Sequence, residues 1–173
     1  MSGSEPVSCE GCGFVWDGVG RADAISGIND AVAGFVGVIE KAGDAATFRP
    51  EPDRWSIVEY AAHLRDVLLS LRERIVVASV VDDAVGTPIY RDQRVALGFY
   101  SLDSVEDAAD ELAMAAGLIS KTIAALPEGY DDRTMVYSPV TNTTVTIGWI
   151  AAQAAHEAVH HLGDVEENLA RLN

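Results

Sequence analysis

The segment from His156 to Glu167, HEAVHHLGDVEE, holds three of the chain's four histidines among several carboxylates. Residues four apart on a helix share a face, so His and Glu at that spacing can bind one divalent ion. Two such pairs interleave here: His156 with His160, and Glu157 with His161. The fourth histidine, His63, lies far upstream in a second amphipathic segment, so a site that uses it needs two helices to meet.

On a helical wheel Ala151, Ala155, Ala158, Leu162, Val165, Leu169 and Leu172 fall on one face, which is the core contact of the C-terminal helix. Glu157 and His161 follow the flank of that stripe, whereas His156 and His160 point nearly away from it. His63 likewise sits on the flank of a Leu64, Leu68, Leu71 stripe, while Asp66 points away. If the two helices pack antiparallel, His63, Glu157 and His161 can converge over a cleft with positions left for water or substrate. That is the pattern of a catalytic divalent site. Neutral imidazole suits zinc, nickel, iron or manganese, and zinc is the first expectation. The competing view, polar residues exposed on an acidic helix, is weakened by the crowding of three histidines into six residues.

Four helical segments can supply the framework. Arg21 to Ala42 places Ile25, Ile28, Val32, Phe35, Val36 and Ile39 at helical intervals, although Gly27, Gly34 and Gly37 weaken it. After a rigid turn containing Pro50 and Pro52, the run from about Arg54 to Val81 carries Ile57, Tyr60, Ala61, Leu64, Leu68, Leu71 and Ile75 on one stripe. Asp82 to Asp103, with Gly86, Pro88 and Gly98, reads as a long connection with a helical turn around Asp92 to Leu97. Long connections tend to be functional, so Tyr90, Arg91, Asp92, Gln93 and Arg94, together with Tyr60, are candidates to line the cleft and hold a cofactor. Ser104 can cap a third helix that runs to about Leu126 and stops at Pro127 and Gly129. Tyr130 to Val145, rich in Thr and Val, suits a short extended or hairpin segment, and Thr146 opens the last helix, to Leu172. The expectation is an all-α four-helix bundle with a long crossover connection over residues 21–173, behind a short N-terminal CxxC arm over residues 1–20.

Residues His156 to His160 also satisfy the zinc-peptidase pattern HExxH, with Gly163 and Glu166 imitating its extension. Only seven residues follow Glu166, too few for the supporting turn and substrate cleft of such a peptidase. Proteolysis is set aside.

A chain of 173 residues suits one domain, and its formal net charge of −15 sets it against phosphate backbones and anionic membranes. No basic-then-apolar leader opens it, and its apolar stretches are broken short of the ~20 residues of a membrane span. Neither nucleic acid nor membrane is expected as a partner. The expected setting is the cytoplasm, as a monomer or homodimer.

The stretch Trp55-Ser56-Ile57-Val58-Glu59-Tyr60-Ala61-Ala62-His63-Leu64-Arg65-Asp66-Val67, followed downstream by His156 to Val165, resembles the DinB-like metalloenzyme superfamily. That group includes mycothiol-dependent maleylpyruvate isomerases and low-molecular-weight-thiol S-transferases. The resemblance covers nearly all of the chain after residue 20. It implies a four-helix bundle holding one divalent metal through His63 as first ligand and His161 as last. Glu157 then takes the middle place, with His156 and His160 as an equally spaced alternative. It also implies that the metal activates a mycothiol- or bacillithiol-like thiol toward an electrophile, for S-transfer or isomerisation. A non-catalytic metal-binding or stress-response bundle acting through protein contacts is the alternative, since fold does not fix function.

Cys9 and Cys12, the only cysteines, stand in Cys9-Glu10-Gly11-Cys12-Gly13-Phe14, which resembles a CxxCGF arm found in one subgroup. A CxxC followed by Gly and an aromatic reads as half of a zinc knuckle, and His156 with His160 can supply the other half. A cytosolic redox dithiol and a mobile arm are the rival readings.

Overall fold

The computed structural model describes residues 8–138, 140 and 142–172. Helices form where apolar residues recur at helical spacing: α1 (Arg21–Ala42), α2 (Ile57–Val80), a short α3 (Arg91–Ala96), α4 (Val105–Ala124) and α5 (Ile147–Leu172). Side chains fix where several of them start. The Ser56 hydroxyl accepts the Glu59 N–H while the Glu59 carboxylate accepts the Ser56 N–H, a capping box at the head of α2. Ser104 accepts the Asp107 N–H to cap α4, as its sequence position indicates, and Thr146 accepts the Trp149 N–H at the head of α5.

Helices α1 and α2 each pack against both α4 and α5, so α1 and α2 occupy one diagonal of the bundle and α4 and α5 the other. Their contacts set the directions. A Cβ on Gly27 would lie 3.3 Å from Ala155 and one on Gly34 3.1 Å from Leu162, so α1 and α5 run parallel and these glycines permit their close approach. Arg54 and Trp55, just before α2, bond to Asp164 and Asn168 near the end of α5, so α2 and α5 run antiparallel. On the other flank Arg65 pairs with Glu111, and Arg72 and Val80 border the same groove as Leu118 and Ala125. Parallel neighbours cannot be joined by a tight turn. The chain must travel back along the bundle between α2 and α4, about 36 Å for a helix of 24 residues. Residues 81–104 make that return, which is the physical reason for the long crossover.

The fold is mostly helical, but the all-α expectation needs correction because a small sheet is present. Strand β1 (Ala84–Val85) pairs parallel with β2 (Thr134–Ser138), and β2 pairs antiparallel with β3 (Thr143–Thr146). The β2–β3 hairpin falls where Thr and Val enrichment places extended chain. Strand β1 is too short to show an alternating pattern, and its partner lies far on in the sequence. Ala84, Met135 and Val145 are buried beneath the sheet.

The core joins Ile28, Phe35 and Ile39 of α1 with Leu64, Leu68 and Leu71 of α2, Leu112 and Ile119 of α4, and Ala151, Ala155, Ala158 and Val165 of α5. One helix, Arg21–Thr47 with its 3-10 extension, is long and apolar enough by length and composition to cross a membrane, contrary to the reading of interrupted apolar runs. In the bundle its Ile28, Phe35 and Ile39 are fully buried against neighbouring helices.

Ahead of α1 the arm folds back on α5. A tight turn is closed by the Cys9 N–H to the Phe14 carbonyl at 2.8 Å and the Gly13 N–H to the Cys9 carbonyl at 2.8 Å. Gly13 takes φ +73°, where a Cβ would be strained. Trp16 is buried, and its indole N–H donates to Gln153 Oε1 at 2.8 Å.

Candidate metal centre

His63 occupies the second turn of α2 and is almost fully buried. Its ring packs against Trp55, with centroids 5.2 Å apart, and its Nδ1 lies 3.4 Å from the Tyr100 hydroxyl. Trp55 is itself held from α5. The fully buried Asn168 donates to its carbonyl at 2.8 Å, and Arg54 donates to Asn168 and to the Asp164 carbonyl. The antiparallel α2–α5 contact thereby sets the angle at which His63 faces the C-terminal helix.

On that helix His161 Nε2 lies 3.4 Å from Glu157 Oε2, and His161 Nδ1 lies 2.9 Å from Asp164 Oδ2. The His63 and His161 rings are 5.0 Å apart. One donor atom from each of His63, Glu157 and His161 falls within 4.8 Å of the others. A ring nitrogen fixed by a carboxylate leaves the opposite nitrogen free to serve as a ligand, which is the role geometry gives Asp164.

The electrostatics suit a cation. Burial, reinforced by the charge on His161, pushes His63 down to about 3, so its imidazole is neutral at ordinary pH with a lone pair to offer. Burial acts on His161 in the same sense but is outweighed by its bonds to Asp164 and Glu157, which raise it to about 9. Burial opposes ionisation of Glu157, yet the His161 hydrogen bond and charge hold its carboxyl below the usual range. The two carboxylates thus demand positive charge, which a proton on His161 supplies and a divalent ion would replace. Two imidazoles and one carboxylate are also a donor set of catalytic zinc sites, which leave a position open.

These residues border a cavity of about 640 Å³, together with His156, His160 and Arg74. Tyr90, Arg91, Asp92 and Gln93 border it from the crossover. Tyr60 and Arg94, also expected to line the cleft, lie elsewhere. The Tyr60 ring packs 5.6 Å from His161 and 5.3 Å from Trp55, outside the cavity lining. Arg94 is drawn to the Asp66 carboxylate and the Ile89 carbonyl, and borders a neighbouring cavity instead.

His156 and His160 do not simply face away, as the wheel suggests, because the cavity reaches round the flank of α5 and the arm covers them. The His156 ring lies 4.5 Å from Trp16 and 5.5 Å from Phe14. Cys9 Sγ approaches His160 Nδ1 at 3.7 Å. Cys9, Cys12, His156 and His160 form a second group whose donor atoms fall within 4.8 Å of one another.

Sequence reasoning missed three residues at this place. Asp164 and Gln153 had a readable signal, lying three and four residues from His161 and Glu157 on one helix. Gln153 Nε2 donates to Glu157 Oε1 at 2.6 Å. Arg74 also had one, lying three turns after His63 on the same face of α2, although the groups it meets come from the sheet and the crossover. Its guanidinium lies 4.2 Å from the Tyr137 ring centroid and donates to the Thr87 carbonyl at 2.7 Å, and among the described residues no carboxylate pairs with it.

A sequence profile of the DinB superfamily matches residues 34–165, which take in the C-terminal part of α1, all of α2 to α4, the three strands and most of α5. The arm lies outside the match. Among solved structures, the chain is similar to YfiT from Bacillus subtilis, described as a probable metal-dependent hydrolase with an unusual four-helix bundle topology. The likeness has a TM-score of 0.79 over 90% of each chain at 15% identity, which shows a common fold. No curated protein sequence matches the chain. With three quarters of its length under the profile, the chain belongs to the DinB superfamily.

Proposed function

We propose that the chain is a divalent-metal enzyme that activates a low-molecular-weight thiol for S-transfer or isomerisation, on an ion held by His63, Glu157 and His161. The observation that carries this reading is the convergence of three donor groups from two antiparallel helices on the wall of an open cavity. A bound ion supplies Lewis acidity, which lowers the pKa of a coordinated thiol. The protein's own residues do the rest. His63 offers a neutral lone pair, Asp164 aims His161, and Gln153 aims Glu157. Zinc suits the donor set, and nickel, iron or manganese fit the same chemistry.

The cavity's charge supports a small anionic reactant. In a chain of net charge −15, Arg74 and Arg91 both border it, and a guanidinium is well shaped to hold a carboxylate. Hydrolysis, the activity named in the description of YfiT, is the second reading, because an open metal activates water by the same electrostatics as a thiol.

Metal-loaded protein offered a panel of small thiols with a bimane electrophile should turn over only when a thiol is present, and His63→Ala should abolish turnover while keeping helical circular dichroism. Turnover of an activated ester or amide without any thiol would favour hydrolysis. Tight metal binding with no turnover in either assay would favour a non-catalytic metal-binding bundle.

A further inference from the structure

We propose that Cys9, Cys12, His156 and His160 form a second zinc site, closed by four protein ligands, that fastens the N-terminal arm to α5. Two sulfurs and two imidazole nitrogens are the donor set of structural zinc, and one donor atom from each residue lies within 4.8 Å of the other three. Four protein ligands fill a tetrahedral ion and leave no position for substrate, which separates this site in kind from the three-ligand centre beside it.

Three further observations converge on the same group. The first is His156, whose two ring nitrogens are both buried and have no hydrogen-bond partner among the described residues. An imidazole buried without a partner is costly, and coordination would satisfy one of its nitrogens. The second is the backbone around the sulfurs. The N–H groups of Cys12 and Gly11 point at the Cys9 sulfur, and that of Phe14 at the Cys12 sulfur. These bonds favour the thiolate at Cys9, the form that binds metal, whereas at Cys12 burial outweighs the Phe14 bond and keeps the thiol raised until an ion draws off its proton. The third is Gly11, where a Cβ would stand 3.0 Å from the His160 ring. A side chain here would press on the histidine ring, so glycine lets the turn approach it this closely.

Among the described residues of the arm, Phe14 and Val19 pack against the core and Phe14 and Trp16 against His156, while the polar contacts to α5 are the Trp16 bond to Gln153 and the approach of Cys9 to His160. Zinc here would displace the protons of both thiols and join residues at the two ends of the chain. It would also seat Trp16 on Gln153, which in turn bonds Glu157, so the arm would support a ligand of the neighbouring centre.

The test uses the full chain purified from zinc-supplemented cells and does not depend on turnover. Elemental analysis should give two zinc ions per chain, falling to one in Cys9→Ser plus Cys12→Ser and to a different one in His63→Ala. Cobalt should distinguish them. The wild type and His63→Ala should show thiolate-to-cobalt charge transfer with intense tetrahedral ligand-field bands, and the double serine variant should lose the charge transfer while still binding cobalt. Should the serine variant fail to fold, a mercurial titration of wild-type protein with a zinc indicator reports directly, because blocking both thiols should release one zinc. Zinc content unmoved by thiol blocking, a cobalt spectrum without charge transfer, or a Cys9–Cys12 disulfide in the freshly isolated protein would each overturn the proposal. Loss of the first centre alone would leave the charge transfer in place, so the two readings fail separately.

Discussion

Gln153 donates from Nε2 to the Glu157 carboxylate at 2.6 Å while its own carbonyl oxygen accepts the Trp16 indole N–H at 2.8 Å. The amide is thereby fixed at both ends, and its orientation dictates which Glu157 oxygen remains for a metal. Replacing Gln153 by Leu should leave the helix intact and weaken metal binding by about 10- to 100-fold, the usual loss when an outer-sphere partner is removed. Competition with a chelator of known affinity measures it. Unchanged affinity would mean that Glu157 needs no such support.

The protonation pattern of the paired histidines predicts how the metal-free protein responds to pH. His161 is raised from 6.5 to about 9, so the stability it contributes is whole below 6.5 and is lost as pH rises through 9. His63 is lowered from 6.5 to about 3, so its contribution erodes as pH falls from 6.5 toward 3. Together they place a stability maximum near pH 6.5. Urea midpoints of chelator-treated protein should decline on both sides, and Asp164→Asn should flatten the alkaline limb by removing the charge that favours the imidazolium. Midpoints that climb between 6.5 and 9 would contradict this.

Arg74 makes a separable prediction. Its buried charge is held by the Thr87 carbonyl and the Tyr137 ring and by no carboxylate among the described residues, so the shape-similar Arg74→Met should keep the fold at a cost of about 1 kcal/mol. Binding of a carboxylated reactant should weaken by about 10- to 100-fold, the equivalent of one lost charge-assisted hydrogen bond. The effect should appear in KM more than in kcat, and should vanish for an uncharged reactant of similar size. An equal loss for both reactants would point to a steric role.

The elements legible in the sequence were those whose information is local. The Leu64, Leu68, Leu71 stripe and the Ala151 to Val165 stripe located the helices that carry His63, Glu157 and His161, and the four-residue spacing of Glu157 and His161 placed those two on one face. What was illegible depended on contacts between distant segments. Strand β1 exists because Ala84 finds Met135, and the partners of Arg74, the Tyr137 ring and the Thr87 carbonyl, come from the sheet and the crossover. Arg94 turned from the cavity to Asp66, and Tyr60 packed against Trp55, for reasons set by neighbours that no periodicity reveals. The wheel placed His156 and His160 correctly relative to the core stripe. That the arm meets this face was readable from chemistry and not from periodicity, since a CxxC lacks the two further donors that His156 and His160 could supply.

The diagonal placement of consecutive helices has a kinetic meaning. Because α1 and α2 lie on a diagonal and each packs on α5, His63 of α2 meets His161 of α5 from far apart in the sequence, and Cys9 meets His160 across 151 residues. Ions at both places would act as reversible cross-links closing very long loops, and cross-links of that span take the most entropy from the unfolded chain. Metal release would then have to precede separation of the helices, so the lifetime of the folded state would be set by how fast α5 gives up its ions.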